Sequence, residues 1–131
     1  MLQVIRWRAM LLICIIVIAN CGERAYDRQA LIGTYELKYD NDRVETLVLH
    51  ADGSFSQRFR HQVNTGTWAY VNTSGETHIH LHKQKIFVGT WAMPAGFVEG
   101  DLLVRSTDKK PELVLNDDLG WTYHMRSSRT T

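Results

Sequence analysis

Val44 to His61, VETLVLHADGSFSQRFRH, sets the architecture. Asp52-Gly53 at its centre is the strongest hairpin signal in the chain, because glycine tolerates the positive φ that tight turns require. Val44–Ala51 reads as one strand and Ser54–His61 as its partner. Alternation in the second strand puts Phe55 and Phe59 inward and Arg58 and Arg60 outward. Gln57 shares the face of Phe55 and Phe59 and is the one polar residue expected inside.

The same two-residue period runs through most of the chain. Leu31–Tyr39 places Leu31, Gly33, Tyr35, Leu37 and Tyr39 on one face and Thr34, Glu36 and Lys38 on the other. Asp40-Asn41-Asp42 reads as the turn that follows. Gly66–Val71, Thr77–His82 and Ile86–Trp91 continue the series, with Asn72–Gly75 as a turn. Pro94 and Gly96 interrupt pairing. Phe97–Ser106 follows, with Gly100-Asp101 expected as a bulge or bend. Glu112–Leu115 and Trp121–Arg126 close the set, joined through Asn116–Gly120. About eight or nine short strands with tight links predict an all-β fold, most simply a single antiparallel up-and-down barrel. Closure also removes the free edges that invite aggregation.

The amino terminus has another character. Arg6 and Arg8 flank Trp7, and Ala9–Ala19 carries no polar side chain. That run is about half the roughly 20 residues a membrane-crossing helix needs and fits a signal-peptide core. Ile18-Ala19-Asn20-Cys21 resembles the lipobox of bacterial lipoproteins. The resemblance implies residues 1–20 as a signal, lipid attachment at Cys21 and anchoring in the bilayer. Gly22 after the cysteine points to the outer membrane, facing the periplasm. A retained anchor, or cleavage by the ordinary signal peptidase, are the alternatives. Residues 21–30 then form a tether, 31–126 the barrel, and 127–131 a frayed tail.

Removing the first 20 of 131 residues leaves 111, one domain's worth. Arg6 and Arg8 leave with them, so 13 basic residues face 14 acidic ones and the net charge is −1. No basic face or run exists, which argues against nucleic acid as a partner. Cys14 leaves with the signal and Cys21 takes lipid, so no disulfide and no cysteine-based zinc site is expected.

Gly33-Thr34-Tyr35, Asp52-Gly53-Ser54-Phe55 and Gly66-Thr67-Trp68 fall in an order that resembles small bacterial lipocalin-like domains, many of them lipoproteins. The resemblance covers roughly Leu31–Leu81. It implies a barrel able to hold a small apolar or amphipathic ligand. Tyr35 stands where lipocalins carry a tryptophan, and Arg126 is placed roughly as the late arginine that packs over it. Tyr35, Gln57, Phe59, Trp68, Tyr70, Trp121 and Tyr123 are the residues expected to line such a pocket, if they do not simply fill the core. A barrel of eight strands permits either arrangement.

His78, His80 and His82 alternate along one strand and project from one face. Two such imidazoles suit zinc or copper, with a third ligand from His50, His61 or His124. The opposing reading is a solvated ladder without metal, since Ile79 and Leu81 claim the buried face. No nucleophile elbow, phosphate loop or zinc-protease motif occurs. Asp40 with Asp42 and Asp117 with Asp118 sit in turns, where aspartate serves the backbone. The sequence therefore predicts a non-enzymatic protein without a cofactor. Three roles remain open: apolar-ligand binding, an envelope interaction or structural role with a solid core, and metal binding at the histidine face.

Overall fold

The computed structural model describes residues 26–107 and 110–126. The signal segment, Cys21 and the tail 127–131 lie outside the described residues. Among the described residues a 3-10 turn, Gln29–Leu31, precedes eight strands. These are β1 (Gly33–Lys38), β2 (Val44–Leu49), β3 (Ser54–Phe59), β4 (Gln62–Thr73), β5 (Glu76–Ile86), β6 (Gly96–Thr107), β7 (Lys110–Asn116) and β8 (Trp121–Met125). Every strand pairs antiparallel with its sequence neighbour, and β1 pairs with β8 to close the barrel. The up-and-down barrel expected from the two-residue period is the fold.

Alternation decides which side chains go inside. Tyr35, Leu37, Leu47, Leu49, Phe55, Ile79, Leu81, Leu102, Leu113 and Tyr123 are essentially inaccessible to solvent. The opposite faces of the same strands carry the charged residues, with Glu45 on β2 the exception.

Turn chemistry sets the register. Asp40 Oδ1 accepts the backbone N–H groups of Asp42 and Arg43, closing the β1–β2 turn. Gly53, with φ 86°, closes β2–β3. The β4–β5 turn is tighter than the sequence suggested: Asn72 and Thr73 stay in the ladder, and only Ser74 and Gly75 turn, with φ 53° and 83°. Two consecutive positive φ values belong to the primed turn that matches strand twist.

Two expectations are corrected. Ile86–Trp91 is not a separate strand. β5 runs from Glu76 through His82 to Ile86, so Thr77–His82 and Ile86 belong to one strand, and Phe87–Ala95 is a loop. The loop folds on itself: Thr90 Oγ1 accepts from Met93 N, and Thr90 N donates to Met93 O. Gly89 is pressed so close to Ala95 that a β-carbon there would stand 2.7 Å from the Ala95 nitrogen. The irregularity placed at Gly100-Asp101 lies on the partner strand instead. The β5–β6 register shifts between Leu81 and Gln84, where Lys83 is left-handed at φ 63°, while β6 continues unbroken.

The two ends of the barrel are closed differently. At the amino-terminal end Leu31 is fully buried and accepts the Tyr35 hydroxyl on its carbonyl at 2.7 Å. Arg28 lies over the Trp68 ring at 4.4 Å and donates to Ala51 O. Tyr26 donates to Ser106 Oγ, and Tyr70 donates to Tyr26 O. Arg126, which the lipocalin resemblance placed over Tyr35, instead pairs with Glu36 at 3.1 Å. At the opposite end Trp121, Tyr39, Phe59 and Phe87 form a continuous row. Trp121–Tyr39 and Tyr39–Phe59 meet edge to face, and Phe59 and Phe87 stack at 5.5 Å.

Candidate functional site

Inside the barrel, below the aromatic row, lies a polar cluster built around Glu45. Alternation on β2 turns Glu45 inward, where it is fully buried. It receives three side-chain donors: the Tyr39 hydroxyl, the Tyr123 hydroxyl at 2.5 Å and Gln57 Nε2 at 2.7 Å. Burial pushes the Glu45 carboxyl above its ordinary range, and the three donors oppose that shift. Burial, joined by the carboxylate's charge, raises the hydroxyls of Tyr39 and Tyr123 as well, so both stay protonated donors.

Gln57 does a second job. The β4–β5 ladder stops at the Thr67–His82 pair. Beyond it, Gln57 reaches past β4 to β5, accepting from Lys85 N at 2.9 Å and donating to Lys85 O at 3.1 Å. Asn64 joins by donating to Gln57 Oε1 and to Lys83 O. One amide side chain thereby replaces the backbone of a strand residue, and its four bonds leave it fully satisfied.

The seven residues expected to line a ligand pocket fall as follows. Tyr35, Gln57, Phe59, Trp68, Trp121 and Tyr123 are buried, and Tyr70 is half-buried. Four of their polar tips are bonded within the protein: Tyr35 to Leu31 O, Trp68 Nε1 to His50 O, Tyr70 to Tyr26 O and Tyr123 to Glu45. These contacts knit the core and close its ends. The sequence named Gln57 as the single polar residue inside; Glu45 and Gln84 are buried there too. Glu45 was legible as an inward position of Val44–Ala51, but its charge argued against burial. Gln84 was hidden by the bulge, which inverts the facing of every residue after His82.

Gln84 is the exception to polar satisfaction. Among the described residues, its amide oxygen and nitrogen have no partner. It packs against Gly100, where a β-carbon would stand 1.8 Å from Gln84 Oε1. A buried polar group left unpaired costs about 1–3 kcal/mol. Gln84→Met keeps the length and removes the amide. It is expected to raise the urea midpoint by a corresponding increment with m unchanged; a lower midpoint would show that the amide is satisfied.

On the outer wall the histidines are not a free ladder. Each faces a carboxylate. His80 Nε2 stands 2.9 Å from Glu99 Oε2, and His82 Nδ1 stands 2.7 Å from Glu99 Oε1. His78 lies between Asp101 and Glu76 at 3.2 and 3.3 Å. Hydrogen bonds from His82 and His80 hold the Glu99 carboxyl below its ordinary range. His50, His61 and His124, named as further ligands, belong elsewhere: His50 at the β2–β3 turn, His61 at the β3–β4 turn, and His124 on β8 beside Glu112.

The loop end of the barrel carries the largest exposed apolar side chains. Trp91, in the β5–β6 loop, is 94% exposed, and Phe97 is 68% exposed. Val63 and Val98 are also exposed. Lys85 Nζ lies 5.5 Å from the Phe87 ring and 5.6 Å from the Phe97 ring. The periodicity that found the strands carried no signal for this patch, because exposure in a loop depends on how the loop folds. Comparison with known proteins finds no matching family model, no matching curated protein and no matching solved structure.

Proposed function

We propose that the chain is a lipid-anchored, non-enzymatic envelope barrel that presents its loop end to a protein partner. The observation that carries this reading is the opposition of the two ends. The segment leading back toward Cys21 lies across one end of the barrel, while Trp91, Phe97, Val98 and Val63 cluster at the other. Four residues lie between Cys21 and Tyr26, and the five steps along the chain reach at most about 18 Å. Lipid at Cys21 would hold the amino-terminal end close to the bilayer and turn Trp91 away from it. An exposed tryptophan within an apolar patch is the composition expected of a binding hot spot. The packed interior favours this role over an apolar-ligand calyx.

The experiment has two arms. Cys21→Ala should release the protein from the membrane fraction, and inhibition of the lipoprotein signal peptidase should make the precursor accumulate. A photo-crosslinker at position 91 should capture a protein partner in intact cells; one at Gly75, on the tether end, should not. Trp91→Ser should abolish capture of that partner by a crosslinker at position 97, while changing stability by no more than about 0.5 kcal/mol. Crosslinking from both ends alike, or saturable quenching of core tryptophan fluorescence by fatty acids, would count against the proposal.

A further inference from the structure

We propose that His80, His82 and Glu99 form a three-donor site for a borderline divalent metal ion of the zinc type. The site lies on the outer wall between β5 and β6 and is independent of the loop-end patch.

The strand supplies the first two donors. His80 and His82 alternate on β5, so both imidazoles leave the same face. The neighbouring strand supplies the third. His80 pairs in register with Asp101, which places Glu99 two residues along β6, beside both rings. The side chains converge accordingly: one carboxylate receives both imidazoles, one on each oxygen, at 2.9 and 2.7 Å. Two imidazoles and a carboxylate are a donor set that zinc accepts, with a fourth position left for water.

The bulge contributes to this arrangement. His82 sits where the β5–β6 register shifts, next to Lys83 in its left-handed conformation. Bulges of this kind re-aim a side chain relative to a regular strand. His82 approaches Glu99 through Nδ1, the nitrogen nearer the backbone, whereas His80 uses Nε2. Across the other ladder, His82 and His80 face Thr67 and Ala69, small uncharged residues that bring no competing cation.

Among the described residues no group of three or more His, Cys, Asp or Glu side chains could hold a metal ion in its present arrangement. The imidazole nitrogens stand at hydrogen-bond distance from Glu99, longer than the roughly 2.0–2.2 Å of a zinc–ligand bond. Metal entry draws the three side chains together by rotation. Each ring then binds through the nitrogen now facing Glu99 and carries its remaining proton on the other nitrogen.

The test is Zn²⁺ alone, titrated into the untagged full-length chain in detergent against a chromophoric chelator. One saturable site per chain is expected. His80→Ala and His82→Ala should each weaken it at least about tenfold, the scale on which even outer partners of a metal ligand act. Glu99→Gln keeps the side-chain shape, removes the charge and should weaken it as well. His124→Ala, on another wall, should change nothing. The His80, His82 and Glu99 side chains are substantially exposed, so these variants should fold, and an unchanged thermal midpoint without metal verifies that they do. Absence of a saturable site, or a site indifferent to His80→Ala and His82→Ala, would overturn the proposal. A site unaffected by Glu99→Gln would overturn the three-donor assignment.

Discussion

Glu45→Ala is expected to destabilise the barrel by about 3–5 kcal/mol, because it strands three buried donors at about 1–3 kcal/mol each. The substitution leaves the Tyr39 hydroxyl, the Tyr123 hydroxyl and the Gln57 amide inside the barrel without their shared acceptor. It also empties the space beneath the aromatic row. Urea unfolding monitored by tryptophan fluorescence gives the number. A loss under about 1 kcal/mol would mean that the cluster is hydrated rather than buried. The same residue has a pH signature. Its carboxyl is raised in the folded state relative to an ordinary value of 4.5. A raised acid binds its proton more tightly in the folded chain than in the unfolded one. Its contribution is therefore fully present below the unfolded pKa and is lost as pH rises through the folded pKa. Glu45→Gln, which cannot ionise, should remove that part of the stability–pH profile, and the difference between wild type and variant should vary only across this window.

Gly66→Ala should be nearly as damaging, by about 3 kcal/mol, at the upper end of what overpacking normally costs. A β-carbon at this position would stand 2.3 Å from the His82 carbonyl oxygen and 2.6 Å from the Phe55 ring. One obstacle is backbone, so no side-chain rotation relieves it. Relief requires moving β5 away from β4 at the last pair before the ladder gives way to Gln57 and Asn64. Differential scanning calorimetry is expected to show a Tm lower by more than about 10 °C. Loss of hydrogen-exchange protection should be concentrated at Trp68 and Leu81. Gly75→Ala provides the contrast: nothing lies within 4 Å of a β-carbon there, so its cost comes only from the positive φ.

The fold was legible because one rule, alternation, governs both the strands and the core. Tyr35, Phe55, Phe59 and Gln57 could be placed inside from spacing alone. Spacing failed where the backbone departs from regularity. β5 runs on through the bulge after His82 to Ile86, and the bulge turns Gln84 inward. Tertiary pairing also decided what spacing left open. The faces of His78, His80 and His82 followed from period two, but the carboxylates opposite them depend on the β5–β6 register, which no local signal announces. Glu45 shows the same limit: its inward position was readable, while the two tyrosines that make burial tolerable come from β8 and from the end of β1.

Closure of the barrel is uneven. The β1–β8 ladder holds only two register pairs, Tyr35–Met125 and Glu36–His124, against six between β1 and β2. Arg126 reinforces it, donating its backbone N–H to Thr34 O and pairing its side chain with Glu36. Opening starts where the fewest bonds must break together, so this seam is the place at which the cylinder unlatches into a sheet with two bare borders. Those borders match one another, and two opened copies held side by side would complete each other's ladders by exchanging strands.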